Sequence, residues 1–433
     1  MDLKEKKRAQ FGWIMYDWAN SSFVTTITAA VLPVYFASVA AINLPDYLRT
    51  AYWAYTSAIA LLIVALMGPI MGAMADFRGA KKRYLTIFAL VGIAGAALLY
   101  FVREGDWLMA SLFYIIGNVG FAGANVFYDA LLLYVASPEE MDSVSSKGYA
   151  YGYLGGGLLL AINLGMIMTA PDGETTALMS RLSFLTVAGW WLIFTIPLWR
   201  FVKEPARRIL KGEENFTPVQ ASFRRLAHTF GEIRKYRELF KFIVAFWLYN
   251  NGIGTIIVMA TIYGTELNFS QLTTIGTLLM VQFVGIPFSL LFGWMGTRVG
   301  TKKSILISLV VYSLVAIGGF FMYLEIHFWI LGFGVAMVQG GSQALSRSLF
   351  GRMLPKSKSA EFYSFFSVSE KVAGTAGPLL FGVVSTVMGG SRLSIISLII
   401  FFILGGYLLT RVNEKEGTRV AVEEEARLAQ ASA

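Results

Sequence analysis

The sequence predicts an all-α integral membrane protein, with about twelve transmembrane helices in two pseudo-symmetric six-helix bundles. Three observations carry this. Of 433 residues, 56% are hydrophobic and only 15% charged, and mean hydropathy is +0.61. A soluble chain is nearer a quarter charged. Apolar runs of membrane-spanning length recur along the whole chain. One short basic turn occurs twice: Gly72-Ala-Met-Ala-Asp76-Phe-Arg78-Gly79-Ala-Lys81-Lys82 and Gly293-Trp-Met-Gly-Thr297-Arg298-Val-Gly300-Thr-Lys302-Lys303. Gly293, Gly300 and Lys302 follow Gly72, Gly79 and Lys81 by the same 221 residues.

The first six runs fall at about 11–40, 52–76, 84–101, 107–136, 149–170 and 182–201. The second six fall at about 239–265, 272–296, 304–324, 328–351, 362–388 and 392–411. This divides the chain into a first bundle (1–201), a polar linker (202–238), a second bundle (239–411) and a charged tail (412–433) expected to fray. The first run follows a basic N-terminus without a small-residue cleavage site, so it reads as a retained helix.

Charge sets the expected orientation. Basic residues gather at the N-terminus, in alternate loops (Arg78/Lys81/Lys82/Arg83, Arg298/Lys302/Lys303, Arg352/Lys356/Lys358) and in the linker. The positive-inside rule places these loops and both termini in the cytoplasm. One inside loop departs from the rule, because Glu139, Glu140 and Asp142 make it acidic. The net charge of +9 is thereby explained by topology, and no nucleic-acid partner is expected. The linker itself carries a capping-box pattern, Thr217-Pro-Val-Gln220. Phe223, Leu226, Phe230 and Ile233 then recur at helical spacing among basic residues. The pattern fits an amphipathic helix on the membrane surface.

Several chemistries are excluded. There is no cysteine, and the two histidines, His228 and His327, lie outside the apolar centres. No nucleophile–histidine or metal constellation falls inside the spans, so no enzyme, metal or cofactor is expected. Gly155-Gly156-Gly157 has neither a preceding strand nor a following Lys-Ser/Thr, so it reads as close helix packing, not a phosphate loop.

Charged and amide groups inside a membrane need a reason. Asp17 and Asn20 lie in the first helix, Asn118, Asn125 and Asp129 in the fourth, Asn250 and Asn251 in the seventh, and Gln339, Gln343 and Arg347 in the tenth. Spacings of four put Asn125 with Asp129, and Gln339 with Gln343 and Arg347, on one helix face each. Such stripes either glue helices together or line a cavity. Asp17 reads as an interface partner, an amine ligand or a proton carrier; Asp129 and Arg347 lie toward the inner end and suit a gate. Glu370 and Lys371 in the eleventh helix read as an inner salt bridge or, for Glu370, a proton-coupling group. Gly252 and Gly254 predict a bend or a break in helix seven.

Parallel six-helix repeats joined by a long linker match the architecture of the major facilitator superfamily. The Gly-x-x-x-Asp-x-x-Gly-x-Lys-Lys turn resembles that superfamily's signature between its second and third helices. The resemblance implies a gating role for Asp76, Lys81, Lys82 and Arg298, with Asp76 facing a helix N-terminus or an Arg and the lysines meeting headgroups. Phe77 stands where the signature usually carries a basic residue, and Thr297 replaces the second Asp. More local patterns narrow the group: Gly12-Trp-x-x-Tyr16-Asp17-Trp18-Ala19-Asn20-Ser21, Gly148-Tyr-Ala-Tyr-Gly-Tyr-Leu-Gly155, Gln343-Ala-Leu-Ser-Arg347, Ala360-Glu-Phe-Tyr and Gly377-Pro378-Leu-Leu-Phe-Gly382. Together they resemble the vacuole-effluxer branch, the autophagy-linked group and its bacterial relatives. Asn251 stands where relatives of that branch carry an Asp.

The resemblance implies a monomeric secondary transporter in a bacterial inner membrane, moving a small solute such as an amino acid by alternating access. Helices one, four, seven and ten would line its cavity. Efflux coupled to protons is the expectation carried by Asp17, Asp129 and Glu370. Cavity residues would be Asp17, Asn20, Asn118, Asn125, Asn250, Asn251, Gln339 and Gln343. Asp76, Lys81, Lys82, Asp129, Arg298, Arg347, Glu370 and Lys371 would couple or gate. A lysolipid or amphiphile transporter, suggested by the aromatic and methionine content, and a non-transporting receptor are the alternatives.

Overall fold

The computed structural model describes residues 2–205, 217, 220, 224, 235–373, 376–388 and 392–432. Some side chains within those ranges, Glu370 and Lys371 among them, lie outside the described residues. The described residues form helices and turns, with no strand. This is what lipid demands, since a helix satisfies its backbone polar groups within its own segment.

Ten described helices are long and apolar enough to cross a membrane. The first span, Leu3–Ala40, is composite. It comprises α1 (Leu3–Ser22), a π-helical stretch Phe23–Val31, the single turn α2 (Leu32–Tyr35) and a second π-helical stretch Phe36–Ala40. Then come α3 (Asp46–Arg78), α4 (Lys81–Leu98), α5 (Trp107–Val135), α6 (Met141–Met168) and α7 (Gly173–Phe201). Beyond the linker lie α8 (Arg237–Glu266), α9 (Gln271–Arg298), α10 (Thr301–Phe320), α11 (Glu325–Arg352), α12 (Ser359–Ala373), α13 (Ala376–Met388), α14 (Arg392–Ser397), α15 (Ile399–Thr410) and α16 (Glu414–Ser432). Ten of the predicted twelve runs are thus matched by clear spans, and the remaining two runs fall on helices of different character. One is α11, 28 residues long, whose polar stripe lowers its hydropathy. The other is the pair α12 and α13, separated by residues 374 and 375.

Within each half, neighbouring helices pack along their lengths: α4 on α5, α1 on α6 and α7, then α9 on α11 and α8 on α15. Across the halves, α6 packs on α9 and α3 on α12. The basic turns, the linker ends and α16 share one end of this assembly, called here the basic end.

The duplicated turn is conserved in sequence but shifted in structure. In the first copy Gly79 ends α3 in the left-handed region (φ 60°) and Ala80 precedes α4. In the second, Val299 ends α9 and Gly300 (φ 105°) itself precedes α10. Helix starts therefore pair Thr301 with Lys81 and Lys302 with Lys82, one residue away from the sequence match. Function follows the helix register. Lys82 Nζ donates to the Trp199 carbonyl at 2.7 Å, and Lys302 Nζ donates to those of Thr410 and Val412 at 3.2 and 2.9 Å. Each lysine thus serves carbonyls where the last helix of its own half ends, where a cation is favourable.

Three expectations need correction. Helix seven does not break at its glycines: α8 runs unbroken, and Gly252 lets the Phe402 ring approach its backbone. Lys81 does not meet headgroups: its side chain is only 2% exposed and is spent on Asp76. The tail does not fray: α16 is a helix whose Ala421, Glu424 and Leu428, at helical spacing, are buried against the basic end. Within the linker, Thr217 and Gln220 make the reciprocal capping-box bonds. The apolar residues proposed to follow, Phe223, Leu226, Phe230 and Ile233, lie outside the described residues.

Candidate functional site at the basic end

Hydrogen bonds between described residues of the two halves gather near the basic end. Three clusters make them, and in each the first half supplies carboxylates and the second half supplies the donors that cross to them.

The first cluster is built on Asp76, whose side chain is fully buried. Lys81 Nζ lies 2.6 Å from its carboxylate. The backbone N–H groups of Ala360 and Glu361 donate to it at 3.3 and 2.8 Å. These are orphan donors of the first turn of α12, where an anion is favoured. Lys81 also reaches the Tyr134 hydroxyl at 3.3 Å, and that hydroxyl donates to the Lys356 carbonyl at 2.7 Å. The expected helix N-terminus opposite Asp76 is therefore present, and it belongs to the other half.

The second cluster explains the acidic loop. Asp142 is 1% exposed and accepts from Thr301 Oγ1 at 2.6 Å, Arg352 Nη2 at 2.9 Å and Ser348 Oγ. Gly296 leaves the room: a Cβ there would lie 2.8 Å from Asp142 Oδ2. Glu140 is consumed inside the first half, 2.5 Å from Lys6 Nζ and bonded to the Ser137 N–H. The Lys6 contact and the Ser137 groups hold its carboxyl below the usual carboxylate range. Two of the loop's three acids, Glu140 and Asp142, are thus already paired with basic side chains.

The third cluster centres on Arg347. Its Nη1 lies 3.1 Å from Asp129 and 3.6 Å from Asp17. Its Nε and Nη2 donate to Ser145 Oγ and Ser145 O, each at 2.9 Å. Tyr128 Oη donates to Asp17 at 2.9 Å, and Tyr363 Oη donates to the Arg347 carbonyl. The guanidinium carbon sits 4.8, 5.4 and 4.6 Å from the ring centroids of Trp13, Tyr128 and Tyr149. Trp13 stacks on Tyr128 and donates its indole N–H to the Tyr128 carbonyl. Gly148 permits this crowding, since a Cβ there would approach Asp17 and Arg347 to 2.8 and 3.1 Å.

The predicted amides divide into two groups. Asn20 Nδ2 donates to Asn125 Oδ1 at 2.6 Å, tying α1 to α5. Asn251 donates to Trp247 O and accepts from the Gly377 N–H, so it ties α8 to the start of α13. Asn118, Asn250, Gln339 and Gln343, by contrast, make no side-chain hydrogen bond to described residues; all but the buried Asn250 are half-buried. Arg298 is exposed and joins none of the three clusters. Sequence reading missed Tyr128, Ser145, Tyr149, Thr301 and Ser348, whose types carry no signal alone. It also passed over Asp142, although the charge anomaly of its loop was the signal.

Comparison with known proteins now decides the family. Residues 46–422 match the family described as "Vacuole effluxer Atg22 like". The chain belongs to this family. It is 38% identical over 428 residues to the MFS-type transporter YxiO of Bacillus subtilis (strain 168), covering 98% of this chain and 99% of that one. It is 25% identical over 467 residues to autophagy-related protein 22 of Yarrowia lipolytica, covering 87% and 78%. Among solved structures, this vacuole-effluxer chain resembles the proton:xylose symporter XylE (TM-score 0.72, 14% identity, 97% and 98% covered). It also resembles FucP in the outward conformation (TM-score 0.69, 13% identity, 94% and 98% covered). At those identities the likeness shows the fold: that of the major facilitator superfamily. The vacuole-effluxer chain is a multi-pass membrane transporter of that superfamily and not an enzyme.

Proposed function

We propose that this transporter exports a small polar solute, an amino acid or a related amine, across the bacterial plasma membrane in exchange for protons. The observation that supports it is Arg347. One guanidinium from the second half is held between Asp17 and Asp129 of the first half, at the end where the halves meet. The basic end is taken as cytoplasmic by the positive-inside rule, so both termini lie there. Residues 1–201 and 239–411 act as the rocking units, with α11 and α12–α13 completing twelve spans, and one chain suffices. The present arrangement is then closed to the cytoplasm.

Asp17 and Asp129 remain 14% and 22% exposed, while Arg347 is only 6% exposed behind them. Protonation of either carboxylate removes one charge-assisted contact on Arg347 and loosens the closed end. Proton entry would thereby drive opening toward the cytoplasm, and return of Arg347 would accompany solute release outside. The amides that make no side-chain hydrogen bond to described residues, Asn118, Asn250, Gln339 and Gln343, would bind the polar groups of the solute. The paired amides, Asn20–Asn125 and Asn251, would hold the helices that carry them.

The test is flux in proteoliposomes. An imposed pH gradient should accelerate export of the bound solute several-fold, and D17N and D129N should each uncouple it. Flux that ignores the gradient would remove the exchange mechanism.

A further inference from the structure

The Arg347 cluster has the form of a receptor with a tethered occupant. Trp13, Tyr128 and Tyr149 surround the guanidinium at 4.6–5.4 Å, and Asp17 and Asp129 stand at its polar edge. Ser145 accepts two of its N–H groups. All of these belong to α1, α5 and α6 of the first half. Only the guanidinium comes from the second, on α11. Aromatic faces and carboxylates together select organic cations, the rings through their quadrupoles and the acids through charge-assisted hydrogen bonds.

We infer that Arg347 is a built-in stand-in for a cationic ligand, and that the site it vacates binds the ammonium or guanidinium group of an organic cation. This rests on the alternating-access reading. When the halves part at the basic end, α11 withdraws and the receptacle stays on the first half. It then faces the cytoplasm as an aromatic box with two carboxylates. A cation entering it competes with Arg347 for the same groups, so an occupied site delays reclosure of that end. The substrate class this implies is a solute with one exposed amine or guanidinium, which suits an amino acid at its amino group and excludes simple sugars. The chemistry is that of the cage itself, whose preformed rings are braced by the Trp13–Tyr128 stack and the Trp13 N–H bond.

Removing the stand-in tests this directly in the full-length protein. R347A leaves the box empty without requiring the halves to part. Methylguanidinium or ethylammonium chloride is titrated at constant ionic strength, with sodium chloride as the control, while thermal unfolding and Trp fluorescence are followed. The expected result is a saturable rise in Tm of about 2–5 °C for R347A with either cation. Wild type should show no such rise, and R347A carrying D17N and D129N should lose it. No rise in R347A, an equal rise in wild type, or a rise that survives the loss of both carboxylates would overturn the inference. Should R347A not fold, R347Q keeps the length of the side chain, loses the charge and is read in the same way. Binding and flux fail separately. Rescue of R347A with no export by wild type refutes the export reading and leaves the cage, whereas export without rescue refutes the cage.

Discussion

The two copies of the basic turn began as one sequence pattern, and the protein now uses them in opposite ways. In the first copy the turn's own Asp76 crosses to the N-terminus of α12 in the other half and keeps Lys81 beside it. In the second copy Thr297 is exposed, and the position matching Lys81 in helix register is the hydroxyl of Thr301. The missing anion comes from the first half instead, as Asp142 reaching Thr301, Ser348 and Arg352. Pseudo-symmetry of the backbone therefore does not extend to charge. Across the seam at the basic end, the first half carries the carboxylates and the second half carries the donors that cross to them. Such an arrangement resists like-charge contact between the halves and fixes which faces can meet.

The comparison can be broken by substitution, most severely at Asp76. D76N leaves the buried Lys81 ammonium without its charge partner, and loss of one member of a buried pair costs about 3–5 kcal/mol. Urea or thermal unfolding of purified protein should show it, together with loss of transport. D142N should cost less, about 1–3 kcal/mol, because Arg352 is 14% exposed and keeps a contact 3.5 Å from Glu414. A double-mutant cycle of D142N with R352Q should recover much of that loss; additive effects would deny that the two residues act together.

Third in size is Glu424 of α16. Burial works against its charge, but hydrogen bonds from Lys235 and Arg427 and the nearby Lys358 hold its carboxyl below the usual range. A depressed folded-state pKa gives stability that is present above the unfolded value, about 4.3, and is lost as pH falls through the folded one. E424Q should therefore lower Tm at neutral pH, and its difference from wild type should shrink on acidification below about pH 4. A difference that persists unchanged in acid would assign the effect to packing alone. The smallest effect belongs to T297D, which restores the signature's Asp to the second copy. The side chain is exposed, so stability should change by less than about 0.5 kcal/mol. A large stabilisation would mean that the two copies are equivalent after all.

Much of this was legible in the sequence. Hydropathy marks most of the spans, and the repeated turn marks the duplication and the family. Asp76 stood out because the signature it resembles implies a partner for it, a helix N-terminus or an Arg. What the sequence hides is the partner across a long separation: nothing local pairs Asp76 with Ala360, or Arg347 with Ser145. The one-residue shift between the turns is also invisible, because both copies keep their glycine while its role moves from helix end to helix start. The tail misled through composition. Its many charges suggest a frayed end, yet Glu424 is buried by basic neighbours drawn from three segments. Asp142 was the reverse case, visible as a charge in the wrong loop before its partners were known.

The central claim is that the ion pairs and capping bonds of the basic end hold the two halves together there. Because the chain has no cysteine, a pair of spin labels can be placed at Arg83 and Lys303, both exposed at matching positions of α4 and α10. Pulsed electron-electron resonance between R83C and K303C then reads the gap directly. The account predicts one narrow distance distribution in the otherwise unchanged protein, and a second, longer population when D76N or R347A is added. A distance distribution that neither substitution alters would contradict it.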